Sequence, residues 1–232
     1  MHWSFFRRLV ILPAIAVASN FLAPLANAEG GKIPETAATE GAIQPYIYPQ
    51  MDASKTLTGK TLLDALRKGG YVLYMRHTET GTVTADCNAS NLTPRGERDA
   101  ARVGAALKSL AIPFERIASS PVCRVQDTAR HLGLGAFDAI EDLSNTPRPG
   151  FDVHAAREKL LAIAPASGKN VLLVSHTQAG NTPSQPISLD YGEIVVFAPD
   201  GNGTAAPIAR VKVDEWAVLI SKYAGQFERT TK

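Results

Sequence analysis

The chain has 232 residues, 45% of them hydrophobic, enough for one domain of ordinary size with a substantial core. Its 24 lysines and arginines face 22 aspartates and glutamates, so it lacks the basic excess on which nucleic-acid binders rely. Two cysteines are too few for a structural zinc site at recognisable spacing.

The amino terminus reads as a targeting segment. Met1 to Arg8 is basic, Leu9 to about Leu25 is apolar but broken by Pro13, Asn20 and Pro24, and Ala26-Asn27-Ala28 supplies small residues for cleavage. That order predicts a secretory signal peptide over 1–28, hence a periplasmic or secreted protein with no stable membrane span after cleavage. The Arg7-Arg8 pair matches a twin-arginine signal only loosely, so ordinary secretion is the expectation. Cleavage removes two arginines and no acid, leaving 22 cations against 22 anions; any positive potential must then be local. Residues 29–56, rich in Ala, Gly, Thr and Pro with little apolar periodicity, are expected to form an extended lead-in segment ahead of a domain over 57–232.

Alternating elements follow. Leu62, Leu63 and Leu66 share a helical face, and Gly69-Gly70 stops that helix before an apolar strand, Tyr71–Met75. The strand runs into Arg76-His77. Thr93-Pro94 places a capping residue ahead of a proline at the first helical position, opening a helix to about residue 110. A short strand, Phe114–Ala118, leads through Ser119-Ser120-Pro121 into a helix over Val122–Leu132 with Arg124 in its first turn. A strand near Phe137–Ile140, a helix over Val153–Ala164 and a fully apolar strand, Asn170–Ser175, ending at His176 come next. Gly192–Phe197 and Ile208–Val213 are expected to pair around the turn Asp200-Gly201-Asn202-Gly203, with Asp214 capping a last helix through Trp216 and Ile220. This alternation predicts a three-layer α/β/α sandwich with a largely parallel sheet.

Open sheets of this kind bind ligands beyond the carboxyl ends of their strands. Two strands here end in an imidazole, and one carries an arginine beside it. An anion-handling reaction centre built on Arg76, His77 and His176 is the expectation. Cys87 and Cys123 invite a disulfide in an oxidising compartment, two free thiols being the alternative. If bridged, they would pin two loops at one site.

Arg76-His77 after the first strand, Ser119-Ser120-Pro121-x-x-Arg124 after the second, Thr128-Ala129 behind it and His176 after a later strand together resemble the histidine phosphatase superfamily, with its phosphoglycerate mutase-like fold. The resemblance spans about 57–220. It implies that His77 is the nucleophile and takes the phosphoryl group on one ring nitrogen, dividing one hard displacement into two easier ones. The other nitrogen should donate to a carbonyl that fixes the tautomer. It further implies that Arg76 and Arg124 hold the phosphoryl oxygens, that His176 contacts the transferring group, and that no metal or other cofactor is required.

Two departures from the family pattern stand out. Many members have glycine where Thr78 stands, so the turn must keep ordinary dihedrals or bear strain, and the Thr78 hydroxyl is free to donate to phosphate. The general acid that protonates the leaving oxygen would fall on Asn145, which cannot titrate; Glu141 or Asp142, with Asp142 preferred, would replace it by a shift of the loop. The short interval between Arg124 and His176 resembles the small phosphatase branch with an open cleft. The loop Gly81–Asn91, with Asp86, Asn88 and Asn91, and the segment Thr177–Gln185 are the expected rim. The expectation is a metal-independent phosphomonoester hydrolase acting on a small-molecule or envelope phosphomonoester. The competing readings are a noncatalytic phosphate-binding module of the same fold and a metal hydrolase using His77, His176 and Asp86, the last disfavoured by the neighbouring arginines.

Overall fold

The computed structural model describes residues 51–52, 54–146, 148–179 and 187–223. The expected signal peptide, most of the lead-in segment and residues 180–185 of the expected rim lie outside these. Among the described residues no helix is long and apolar enough to cross a membrane.

In chain order the elements are α1 (Gly59–Lys68), β1 (Val72–Arg76), α2 (Pro94–Ser109), β2 (Phe114–Ser119), α3 (Cys123–Leu132), β3 (Asp138–Ala139), a 3-10 turn (Glu141–Leu143), α4 (Val153–Leu161), β4 (Asn170–Ser175), β5 (Gln178–Ala179), β6 (Ile187–Ser188), β7 (Ile194–Pro199), β8 (Ala205–Val211) and α5 (Val213–Tyr223). Six strands form one sheet in the order β3-β2-β4-β1-β7-β8, and β5 and β6 form a separate antiparallel pair. Within the six, β7 alone runs against the rest, pairing antiparallel with β1 and β8. The other pairings are parallel. The α/β sandwich with a mostly parallel sheet is therefore present.

Side-chain periodicity explains the layers. Along β1, Leu73 and Met75 face one side and Val72 and Tyr74 the other, as strand alternation requires. The first side packs against Leu62, Leu63 and Leu66 of α1, Val103 and Leu107 of α2, Val125 and Leu132 of α3 and Trp216 of α5. The second side meets Leu161 of α4, Leu143 of the 3-10 turn, and Ala179 and Ile187 of the small hairpin. Each fully buried leucine contributes about 1.5–3 kcal/mol of transfer free energy. Four helices thus cover one face and a thinner layer covers the other.

Local signals set the helix ends. The Thr93 hydroxyl accepts from the Gly96 N–H at 3.0 Å, opening α2 with Pro94 inside the first turn. The Asp152 carboxylate does the same for α4, accepting from His154 and Ala155. Two differences appear at the carboxyl end. Strand β8 begins at Ala205, ahead of the expected Ile208, and α5 starts at Val213, so Asp214 lies in its first turn rather than capping it. Glu215 instead reaches back to accept from the Lys212 N–H at 2.7 Å.

Helix α2 lies unusually close to its neighbours. A Cβ on Gly96 would overlap the carbonyl of Glu79, and one on Gly104 would overlap that of Leu132. The first contact seats the start of α2 against the backbone that follows His77.

Candidate active site

Strand register brings the two imidazoles together. Strands β1 and β4 are parallel neighbours with Arg76 opposite Ser175, so the next residue of each, His77 and His176, emerges at the same sheet edge. Their ring centroids are 5.8 Å apart and the planes stand 77° to one another. The adjacent parallel strand β2 ends at Ser119 and feeds α3, whose first turn carries Arg124 to the same place.

The hydrogen bonds define both tautomers. Nδ1 of His77 lies 2.9 Å from the backbone carbonyl of Thr78, which only accepts, so Nδ1 carries the proton and Nε2 the lone pair. The Nε–H of Arg124 donates to that lone pair at 3.3 Å. On His176 the donor into Nδ1 is Nη2 of Arg124 at 3.4 Å; the proton is therefore on Nε2, which donates to the Ser120 hydroxyl at 3.0 Å. Both lone pairs thus face one guanidinium.

The two rings are nearly enclosed, with 5% of His77 and 4% of His176 exposed. Burial, reinforced by Arg124 and Arg76, lowers the His77 pKa to about 4 despite the bond to Thr78, which acts the other way. Burial, followed by Arg124, His77, Arg157 and Arg76, lowers that of His176 to about 2. Both imidazoles are neutral at pH 7, leaving the guanidiniums as the local positive charge. Nη1 of Arg76 donates to the Leu189 carbonyl at 2.8 Å, while its Nε is buried with no partner among the described residues. A buried, unsatisfied charged donor is costly unless an anion meets it.

Thr78 is placed differently from the expectation. Its N–H donates to the Thr128 hydroxyl at 3.1 Å, and the two hydroxyls lie 3.3 Å apart. The Thr128 hydroxyl gives its proton to the Arg124 carbonyl, so that of Thr78 is the donor between them and is turned toward α3 rather than toward a phosphoryl group. Among the described residues the one non-glycine with positive φ is Ala111, so Thr78 keeps ordinary dihedrals.

The acidic candidates have other surroundings among the described residues. Glu141 pairs with Arg148 at 3.3 Å. Asp142 is half-buried, and among the described residues neither carboxylate hydrogen-bonds to the histidine and arginine cluster. In the loop Gly81–Asn91, Asn91 is fully buried and holds the loop from within: its amide accepts from the Thr84 N–H and donates to the carbonyls of Asp86 and Ala89. Asn91 is scaffold, not rim. A Cys87–Cys123 disulfide ties this loop to the start of α3, one residue before Arg124.

Three contributors had no sequence signal strong enough to single them out. Tyr191 lies with its ring 3.9 Å from the Arg76 guanidinium carbon and 5.6 Å from the His77 ring centre. Arg157 of α4, 4% exposed, donates to the Gln178 carbonyl at 3.1 Å and lies near enough to His176 to depress its basicity. Ser120 fixes the His176 tautomer; its place beside the Arg124 motif is the one hint the sequence offered.

Residues 72–144 match the family described as histidine phosphatase superfamily (branch 1). No curated protein matches the chain in sequence. Similar solved structures include the protein histidine phosphatase SixA complexed with tungstate, at 19% identity over 62% of this chain and 98% of that one, with a TM-score of 0.45. A variant of phosphoserine phosphatase from Entamoeba histolytica in complex with phosphoserine is 17% identical over 62% and 97%, TM-score 0.40. The α-ribazole phosphatase from Shigella flexneri is 16% identical over 59% and 94%, TM-score 0.42. Likenesses this remote carry no weight for substrate. Residues 72–144, which bear Arg76, His77 and Arg124, are thus similar to the histidine phosphatase superfamily (branch 1), a match that covers less than a third of the chain.

Proposed function

We propose that this protein is a metal-independent phosphomonoester hydrolase that works through a phosphohistidine on His77. The observation that carries the reading is the His77 tautomer: Nδ1–H is spent on the Thr78 carbonyl, and the Nε2 lone pair faces the Arg124 guanidinium. In the first step Nε2 attacks phosphorus, the ester P–O bond breaks with its electron pair going to the leaving oxygen, and that oxygen takes a proton from solvent or an acid. In the second, water attacks phosphorus, the P–N bond breaks back onto Nε2, and inorganic phosphate leaves. Arg76 and Arg124 hold the phosphoryl oxygens, where positioning and charge supply most of the catalysis. Guanidiniums beside the imidazoles would repel a cation.

The competing reading is a phosphate-binding module that does not turn over. It is favoured by the lack of contact between Glu141 or Asp142 and the cluster among the described residues. Hydrolysis of p-nitrophenyl phosphate in EDTA separates the two: turnover in wild type, its loss in His77→Ala and an acid-labile phosphoenzyme trapped in wild type are expected. Full activity in His77→Ala would reject the nucleophile.

Residues 1–28 are proposed to direct export and 29–56 to link the signal to the domain; the Cys87–Cys123 bridge supports an oxidising destination. The substrate is then a phosphomonoester of the envelope or its surroundings.

A further inference from the structure

We infer that Tyr191 is a specificity-determining residue of this site, selecting phosphomonoesters whose alcohol part is flat and unsaturated, an aryl or heteroaryl group, over those of small alkyl alcohols. This rests on the phosphatase reading and goes beyond it by naming the leaving group.

The loop that carries Tyr191 is tied to the reaction centre on both sides. Just before it, the Leu189 carbonyl accepts from Arg76; just after it, the Gly192 N–H donates to the His77 carbonyl at 3.3 Å. Gly192 has φ of 72°, and a Cβ there would press on Val213 at 2.6 Å and Thr78 at 3.2 Å, so the chain can turn this tightly under His77 only with glycine. Outside the turn, Asp190 pairs with Lys212 at 2.8 Å and buried Glu193 with Arg210 at 2.7 Å. The backbone that carries the ring is therefore held in place.

Held there, it makes an unusual surface. Arg76 lies against the ring, His77 is beside it, and 44% of Tyr191 remains exposed. Of the large hydrophobic side chains that are exposed among the described residues, Tyr191 is the one at the reaction centre. Together with Arg76 it borders an open cleft of about 740 Å³ that lies beside the reaction centre, His77, His176 and Arg124 not being among its lining residues, so an alcohol part reaches it by extending past Arg76. The remaining lining, including Glu79, Arg95, Arg98 and Lys212, is almost wholly charged, so among the described residues Tyr191 is the one aromatic side chain that lines the cleft. A flat π-system gains a stacking contact on that face that a small alkyl group does not, worth roughly 3- to 10-fold in affinity.

Affinities of phenylphosphonate and methylphosphonate test this, measured by calorimetry on wild type, Tyr191→Ala and Tyr191→Phe. Wild type should bind the phenyl compound several-fold tighter. Tyr191→Ala should bring the ratio of phenylphosphonate to methylphosphonate affinity close to one, and Tyr191→Phe should keep it at the wild-type value. Equal weakening of both ligands in Tyr191→Ala would reduce Tyr191 to a support for Arg76 and overturn the inference, as would failure of phenylalanine to substitute. Turnover of p-nitrophenyl phosphate, followed separately, judges the phosphatase reading, so that failure of one is told apart from failure of the other.

Discussion

The Nε–H of Arg124 donates to Nε2 of His77 across 3.3 Å, so the proposed nucleophile and its proposed phosphate clamp are already in contact. An incoming phosphoryl group must part them, exchanging a weak neutral acceptor for an anion. Because the same side chain also reaches His176, its loss should disturb two groups at once. Arg124→Ala is expected to lower kcat/KM for p-nitrophenyl phosphate by about 10²–10³, the scale of one oriented donor to a developing charge. Arg124→Lys should recover little, since an ammonium lacks the fork that spans both rings. Steady-state kinetics on the two variants decides it.

Acidity should limit activity late. Burial, Arg124 and Arg76 all favour neutral His77, and the ring accepts a proton only near pH 4 in the free enzyme. Protonation removes the attacking lone pair, so kcat/KM falls as pH drops through that value and is flat above it until another group intervenes. The acid limb attributable to the enzyme should lie well below the ordinary histidine value of about 6.5. In Arg124→Ala, where a like charge is gone, the limb should move up. A limb at 6.5 in wild type would contradict the burial seen here.

With Glu141 engaged by Arg148 and Asp142 making no hydrogen bond to the cluster among the described residues, leaving-group protonation should be poorly assisted. Aryl phosphates are expected to turn over at least about 10²-fold faster than alkyl phosphates, the lower end of what a placed acid supplies. Asp142→Asn should leave aryl-phosphate kcat within about threefold. A large loss on alkyl esters confined to Asp142→Asn would instead identify Asp142 as the acid.

The Cys87–Cys123 bridge closes a loop across 36 positions of sequence. Opening it releases chain entropy in the unfolded state, and Cys87→Ser/Cys123→Ser should be less stable by roughly 2–4 kcal/mol in denaturant titrations. Since Cys123 opens the helix that carries Arg124, reduction should also raise KM for p-nitrophenyl phosphate. Unchanged stability and KM under dithiothreitol would mean the bridge is incidental.

Much of this site was legible in sequence because its parts lie at strand ends. An apolar run ending in histidine marks a buried strand and the point where it surfaces, and two such runs in parallel register put His77 and His176 side by side. Arg124 was legible for the same reason, one helical turn past a third strand. Tyr191 was not. It reaches Arg76 because β7 pairs with β1, a contact bridging 113 residues at Leu189, and no local pattern says which edge of the sheet a carboxyl-terminal hairpin will join. The Thr78 hydroxyl went to Thr128 for a similar reason: a buried hydroxyl takes whatever acceptor the packing of α3 presents.

Bare backbone at Gly96 leaves nothing compressible between helix α2 and the peptide of Glu79, two residues beyond the proposed nucleophile. A single methyl added there, on a side chain that never approaches substrate, has to shove that peptide aside. The displacement would travel along two short links straight to an imidazole whose aim must be true to a fraction of an ångström. Damage at this position would imitate loss of a catalytic group while every catalytic group remained in the chain.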